Sequence, residues 1–161
     1  MIAYSRIYEE IFYIDGSLRD IYILGTNEQD WQVLLDFLRL ETYPIEFIVG
    51  GEQLPLPERI EDIFALTDNY GVNLRIDEAH LALHCHFFTR EEIEFDLDPR
   101  DFHNEQQVLR LHDFMCKVGR LLNKIVILTP ENISDCPFPY FRFDPRTGMG
   151  EWIDTENNII T

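Results

Sequence analysis

The segment HLALHCHFF, His80 to Phe88, places histidines at positions 80, 84 and 86 around Cys85. Imidazole accepts protons near neutrality and ligates divalent metals, so the chain concentrates its chemistry here. Alternation along an extended strand sorts the segment into two faces. Leu81, Leu83, Cys85 and Phe87 make an apolar face, and His80, Ala82, His84, His86 and Phe88 make the opposite one. Cys85 therefore reads as a packed, inert thiol rather than a ligand.

The next strand, EIEFDL, fixes what the histidines meet. A two-residue loop sets Cys85 against Glu94 and mixes the faces. A three-residue loop of Thr89, Arg90 and Glu91 sets Cys85 against Phe95 and Phe87 against Ile93. Register is dictated by the buried face, so the three-residue loop is expected. It places His86 opposite Glu94 and His84 opposite Asp96. On the upstream side, a two-residue turn at Asp77-Glu78 places Leu74 opposite Leu81 and Arg75 opposite His80.

His84, His86, Glu94 and Asp96 are thus the candidate site. One reading is a divalent metal held by imidazole and carboxylate. The other is a solvated sheet face whose His–carboxylate pairs contribute roughly a few tenths of a kcal/mol each. A flat face without a dry concave pocket favours the solvated reading. A pH-sensing surface is a third. No other cofactor is implied. The spacing His84-x-His86 with a later Glu91 loosely resembles the first motif of cupins, over eight residues. Glu78 and Asp98 stand where that motif has glycines, no second histidine motif follows, and the helices fit a jelly roll poorly. The chain is not assigned to that family.

The elements that must position these residues are legible from periodicity. Arg6–Leu24 reads as a β-hairpin, with IYEEIFYI and RDIYIL joined at DGS. A helix capped by Thr26, with Gln29 three residues on, buries Trp31, Leu34, Leu35 and Leu38. YPIEFIVGG gives a short strand closed by Gly50 and Gly51, and a short helix after Pro57 turns Ile60, Ile63 and Phe64 inward. VNLRID, AHLALHCHFF and EIEFDL form three consecutive antiparallel strands. The longest helix buries Val108, Leu111, Met115, Val118 and Leu122, with Lys117, Arg120 and Lys124 at its C-terminal end. IVILTP is an interior strand, and PYFRFDPRTGMGEWI a closing hairpin turned at DPRTG. Residues 1–161 read as one α+β domain of two layers, a mainly antiparallel or mixed sheet with helices packed on one face.

Composition narrows the function classes. The chain has 161 residues, 45% of them hydrophobic, with 30 Asp+Glu against 13 Lys+Arg and a net charge of −17. A chain this long buries roughly 70% of its unfolded surface without disulfides or a structural metal. Such acidity disfavours nucleic-acid backbones and speeds encounter with basic proteins. Cys85, Cys116 and Cys136 are odd in number and lack CxxC spacing, which points to reduced thiols in the cytoplasm. MIAYSRIYEE is not a signal peptide, and no apolar run reaches membrane-spanning length. His103 and His112 lack metalloprotease spacing, no phosphate loop, dinucleotide fingerprint or nucleophile elbow occurs, and Ser is scarce. The expectation is a non-enzymatic, cytoplasmic protein-binding domain, an immunity- or antitoxin-like inhibitor or adaptor for a basic protein. The alternatives are the metal module on His84 and His86, and a structural homodimer joined through exposed aromatic surface or a free strand edge.

Overall fold

The computed structural model describes residues 2–41, 43–78 and 80–161. Along the chain lie α1 (Ile2–Ile11), β1 (Arg19–Leu24), α2 (Glu28–Leu40), β2 (Ile45–Val49) and β3 (Glu52–Leu54). There follow α3 (Ile60–Thr67), β4 (Val72–Glu78), β5 (Leu81–His86) and β6 (Glu92–Leu97). A 3-10 turn (Pro99–Asp101) then leads into α4 (Glu105–Leu122), β7 (Val126–Pro130), β8 (Phe141–Asp144) and β9 (Met149–Trp152). The strands form one nine-stranded sheet in the order β3-β2-β4-β5-β6-β1-β7-β8-β9. Every pairing is antiparallel, which resolves the choice between antiparallel and mixed.

The helices cover one face. Leu74, Ile76, Leu83, Cys85, Ile93, Phe95, Ile21, Ile23, Val126, Leu128, Phe141 and Phe143 all point to that side and share a core with the buried stripes of the helices. Trp31, Leu34, Leu35 and Leu38 of α2 and Ile60, Ile63 and Phe64 of α3 are buried as their spacing requires. So are Val108, Leu111, Met115, Val118 and Leu122 of α4. Tyr22 and Ile127, at neighbouring positions on the opposite face, are buried yet lie outside this core. Among the described residues no helix is long and apolar enough to cross a membrane.

Three expectations are corrected. The N-terminal segment is a helix followed by a strand, not a hairpin. Ile7 and Ile11, four residues apart, are buried together, and Arg6 pairs with Glu10 one turn on at 2.6 Å. The alternation of IYEEIFYI is thus outweighed by its helical period. DGS is a turn, with Asp15 accepting from the Ser17 backbone at 3.0 Å, but it joins helix to strand. The cap of α2 is Asn27, not Thr26, in a reciprocal capping box with Asp30. Finally, β4 runs to Glu78, so Leu74 opposes Cys85 and Arg75 opposes His84. His80 leaves the strand and sits at φ 69. The faces survive this shift because it is an even number of residues.

Buried Arg19 closes α1. Its guanidinium donates to the carbonyls of Ile11 at 2.8 Å and Tyr13 at 3.0 Å, and to Ser17 Oγ at 2.8 Å. The end of the helix is thereby tied to the first residue of β1, which in turn lies between β6 and β7.

Candidate functional site

The β5–β6 register is the one the buried face requires. His84 lies opposite Asp96, Cys85 opposite Phe95 and His86 opposite Glu94. Phe95 and Cys85 are fully buried, and burial pushes the Cys85 thiol up, which suits an inert packed group. His84, His86, Glu94 and Asp96 share the face that the helices leave open.

Topology extends this face beyond the four residues. Because β1 lies beside β6, Asp20 is directly opposite Asp96 and Tyr22 opposite Glu94. Two rows therefore cross the middle of the sheet. One runs Arg75, His84, Asp96, Asp20, Thr129, and the other Asn73, His86, Glu94, Tyr22, Ile127. Glu92 lies beyond Glu94 on the same face of β6. Sequence reasoning missed Asp20, Tyr22 and Glu92. The alternation of RDIYIL contains the signal for the first two, but the neighbour of that strand is a long-range choice that local pattern does not encode.

The contacts are specific. His86 Nε2 lies 2.5 Å from Asp96 Oδ2, diagonal to it rather than directly opposite. This bond, before the nearby carboxylate charges, raises the His86 pKa against the opposing effect of burial. The His86 ring stacks on Phe88, with centroids 5.0 Å apart and planes at 4°, while Phe88 itself is 72% exposed. His84 is placed differently, with Nδ1 3.5 Å from Asn73 Nδ2.

Asp20 is 2% exposed, and its Oδ2 accepts from the Asn132 backbone at 2.6 Å and from Tyr22 Oη at 3.0 Å. Burial nevertheless holds its pKa above the usual carboxylate value, and the charges of Asp96 and Glu131 add to that. Glu94 is raised by burial and by Asp20, with His86 opposing, and Glu92 is raised by burial. Among the described residues no lysine or arginine pairs with Asp20, Glu92, Glu94 or Asp96; the single ionic partner is His86. Arg75, the nearest cation along the row, is engaged by Asp77 at 3.2 Å and Glu46 at 3.6 Å.

The face is not flat. His84, His86, Asp96, Asp98, Asp101 and Asn73 border a depression of about 260 Å³. Asn73 Oδ1 is buried at its edge without a hydrogen-bond partner. A larger hollow of about 520 Å³ beside β3 is bordered by Ile45, Phe47, Gln53, Leu54, Pro55 and Leu56, none of which titrates. Size alone therefore does not choose the site, and the chemistry favours the smaller one.

As for a metal, the fold brings His84, His86, Glu94 and Asp96 to one face but not into a coordination sphere. Among the described residues no three His, Cys, Asp or Glu side chains stand together at ligand spacing. His112 and Cys116 are also accounted for. His112 Nδ1 accepts from Trp152 Nε1 at 3.0 Å and burial lowers its pKa, while Cys116 is buried with its thiol raised. What the open face can do is attract and hold positive charge, with protons as its smallest ligands. Comparison with protein-family models, curated proteins and solved structures finds no match to this chain.

Proposed function

We propose that the chain is a small acidic protein-binding domain that engages a basic protein partner through the open face of its sheet, as an immunity- or antitoxin-like inhibitor or an adaptor does. One observation carries this reading: half-buried Glu92, Glu94 and Asp96 flank Asp20, itself 2% exposed, at the centre of the sheet, with His86 as their single ionic partner among the described residues. Half-buried carboxylates without cations destabilise a fold on their own, so their arrangement favours an external positive charge. Phe88, exposed and stacked beside them, supplies an aromatic surface that suits a guanidinium. Carboxylate and aromatic together select arginine over a compact ammonium.

The test is capture of a basic partner on immobilised protein, followed by its association kinetics against salt. The association rate falls steeply as salt rises, since screening acts on long-range attraction. Glu94→Lys reverses one central charge and abolishes capture. A partner that binds Glu94→Lys as well as wild type, or at a salt-independent rate, sinks the reading.

A second reading rests on the sheet edges. β3 and β9 are the edge strands. The Ile160 N–H donates to the Trp152 carbonyl at 2.8 Å and so covers one end of β9, while Met149 at its other end is 60% exposed. Pairing of β9 with its copy gives a homodimer with a continuous sheet. Light scattering after size exclusion decides it, and a monomer at micromolar concentration discards it.

A further inference from the structure

We propose that the His86–Asp96 pair, with Glu94 and Asp20, is a proton-operated gate on this docking face, which releases a basic partner on mild acidification. The inference rests on the docking reading and concerns the regulation of the same site.

The geometry supplies one short proton-sharing contact set within a row of facing carboxylates. His86 Nε2 is 2.5 Å from Asp96 Oδ2, Asp96 faces Asp20 across β6 and β1, and His86 faces Glu94 across β5 and β6. The two side chains of the pair are 21% and 17% exposed, so water reaches them while most of their surroundings are protein.

The groups that face His86 are these. From its own strand comes His84, from the segment after it Phe88, and from β4 Asn73 opposite it and Arg75 one row away. From β6 come Glu92, Glu94 and Asp96, and beyond them on β1 Asp20 and Tyr22. Asp98 and Asp101 lie across the depression, and Glu131 adds its charge near Asp20. Arg75 is the one fixed cation in this set, and Asp77 and Glu46 already hold it.

The charge of the face near neutrality is thus set by how many protons this cluster keeps. Deprotonated, its centre presents Asp20, Glu92, Glu94 and Asp96 against a neutral imidazole. Acidification converts the imidazole to imidazolium and neutralises the carboxyls that burial has raised. Each proton removes one unit of attraction for a cationic partner. Ordinary exposed carboxylates stay ionised through the same range, so they do not contribute to the change.

The experiment titrates the full chain with a nona-arginine peptide at constant ionic strength, at about pH 7.5 and about pH 5.5, which bracket histidine titration. Wild type binds about tenfold more weakly at the lower pH, equivalent to about 1.4 kcal/mol. The His86→Gln/Glu94→Gln variant changes less than about twofold between the two conditions. Equal wild-type affinity at both pH values overturns the gate alone, and so does a double variant that keeps the wild-type dependence. No binding at either pH overturns the docking reading, and the gate with it. If the double variant does not fold, NMR titration of the His86 imidazole in Asp96→Asn decides: a midpoint below wild type supports the gate, and an unchanged one overturns it.

Discussion

Asp20 on β1 and Asp96 on β6 stand directly opposite one another, two carboxylates in the middle of a sheet with no lysine or arginine pairing with either among the described residues. Burial raises Asp20, Glu92 and Glu94, and the bond to Asp96 raises His86. All four groups bind protons more tightly folded than unfolded. Their stabilisation is full below the unfolded pKa values and disappears as pH rises through the folded ones. From about pH 8 down to about pH 5 these four groups therefore add stability, against the single opposing histidine His112, whose pKa burial lowers, and the net slope favours the folded state toward acid. Below about pH 4 the trend reverses, because Asp144, held down to about 2 by Arg146, and Asp15, Asp98 and Asp154, whose pKa values are also lowered, bind protons more tightly unfolded than folded. Asp20→Asn removes one buried charge while leaving an acceptor for Tyr22 and Asn132. It stabilises at about pH 8 by on the order of 1 kcal/mol and flattens the slope toward acid. Urea unfolding across this range checks both, and a wild-type slope of the opposite sign refutes the account.

Much of this site was legible in advance because β5 and β6 are joined by a short loop and bury one face. Cys85 opposite Phe95 is the pairing that keeps apolar with apolar, and it carries His86 to Glu94 automatically. The insertion of β1 beside β6 was not legible, since it depends on long-range pairing rather than local pattern. The N-terminal error has a related origin. IYEEIFYI is rich in β-formers, but Ile7 and Ile11 are fixed by packing against the core, and tertiary burial overrides propensity. The diagonal choice of His86 for Asp96 over Glu94 depends on rotamers, which residue spacing does not specify.

The cap that Arg19 places on α1 is expected to be worth more than any surface ion pair. Arg19→Met leaves the buried Ile11 carbonyl and the part-buried Tyr13 carbonyl without their donor and costs about 2–4 kcal/mol. Arg19→Lys recovers only part of that, because an ammonium cannot fork between two carbonyls. Hydrogen exchange should show α1 losing protection before the sheet. Stability equal to wild type in Arg19→Met removes the cap from the account.

Gly119 permits the close approach of α4 to β8. A methyl at this position overlaps the Phe143 ring, with Cε1 at 2.6 Å. Gly119→Ala improves intrinsic helix propensity, yet overpacking dominates, and the net effect is a loss of about 1–3 kcal/mol. Adding Phe143→Leu relieves the overlap, so the double variant is more stable than the sum of the single effects implies. A double-mutant cycle measures this coupling, and strict additivity contradicts the proposed contact.

Divalent metal gives the sharpest separation between the two readings of the histidine strand. His86 Nε2 is engaged by Asp96, His84 turns toward Asn73, and no three ligands stand together among the described residues. A ligand that binds only the folded state at a hundred times its Kd stabilises by about 2.7 kcal/mol, a shift of several degrees in Tm. Zinc, manganese or nickel at micromolar excess is therefore expected to leave Tm within about 1 °C of the metal-free protein. The His84→Ala/His86→Ala variant is expected to show the same indifference. Stoichiometric metal on the purified wild type, absent from that double variant, would instead make the four residues ligands and displace the docking face as their role.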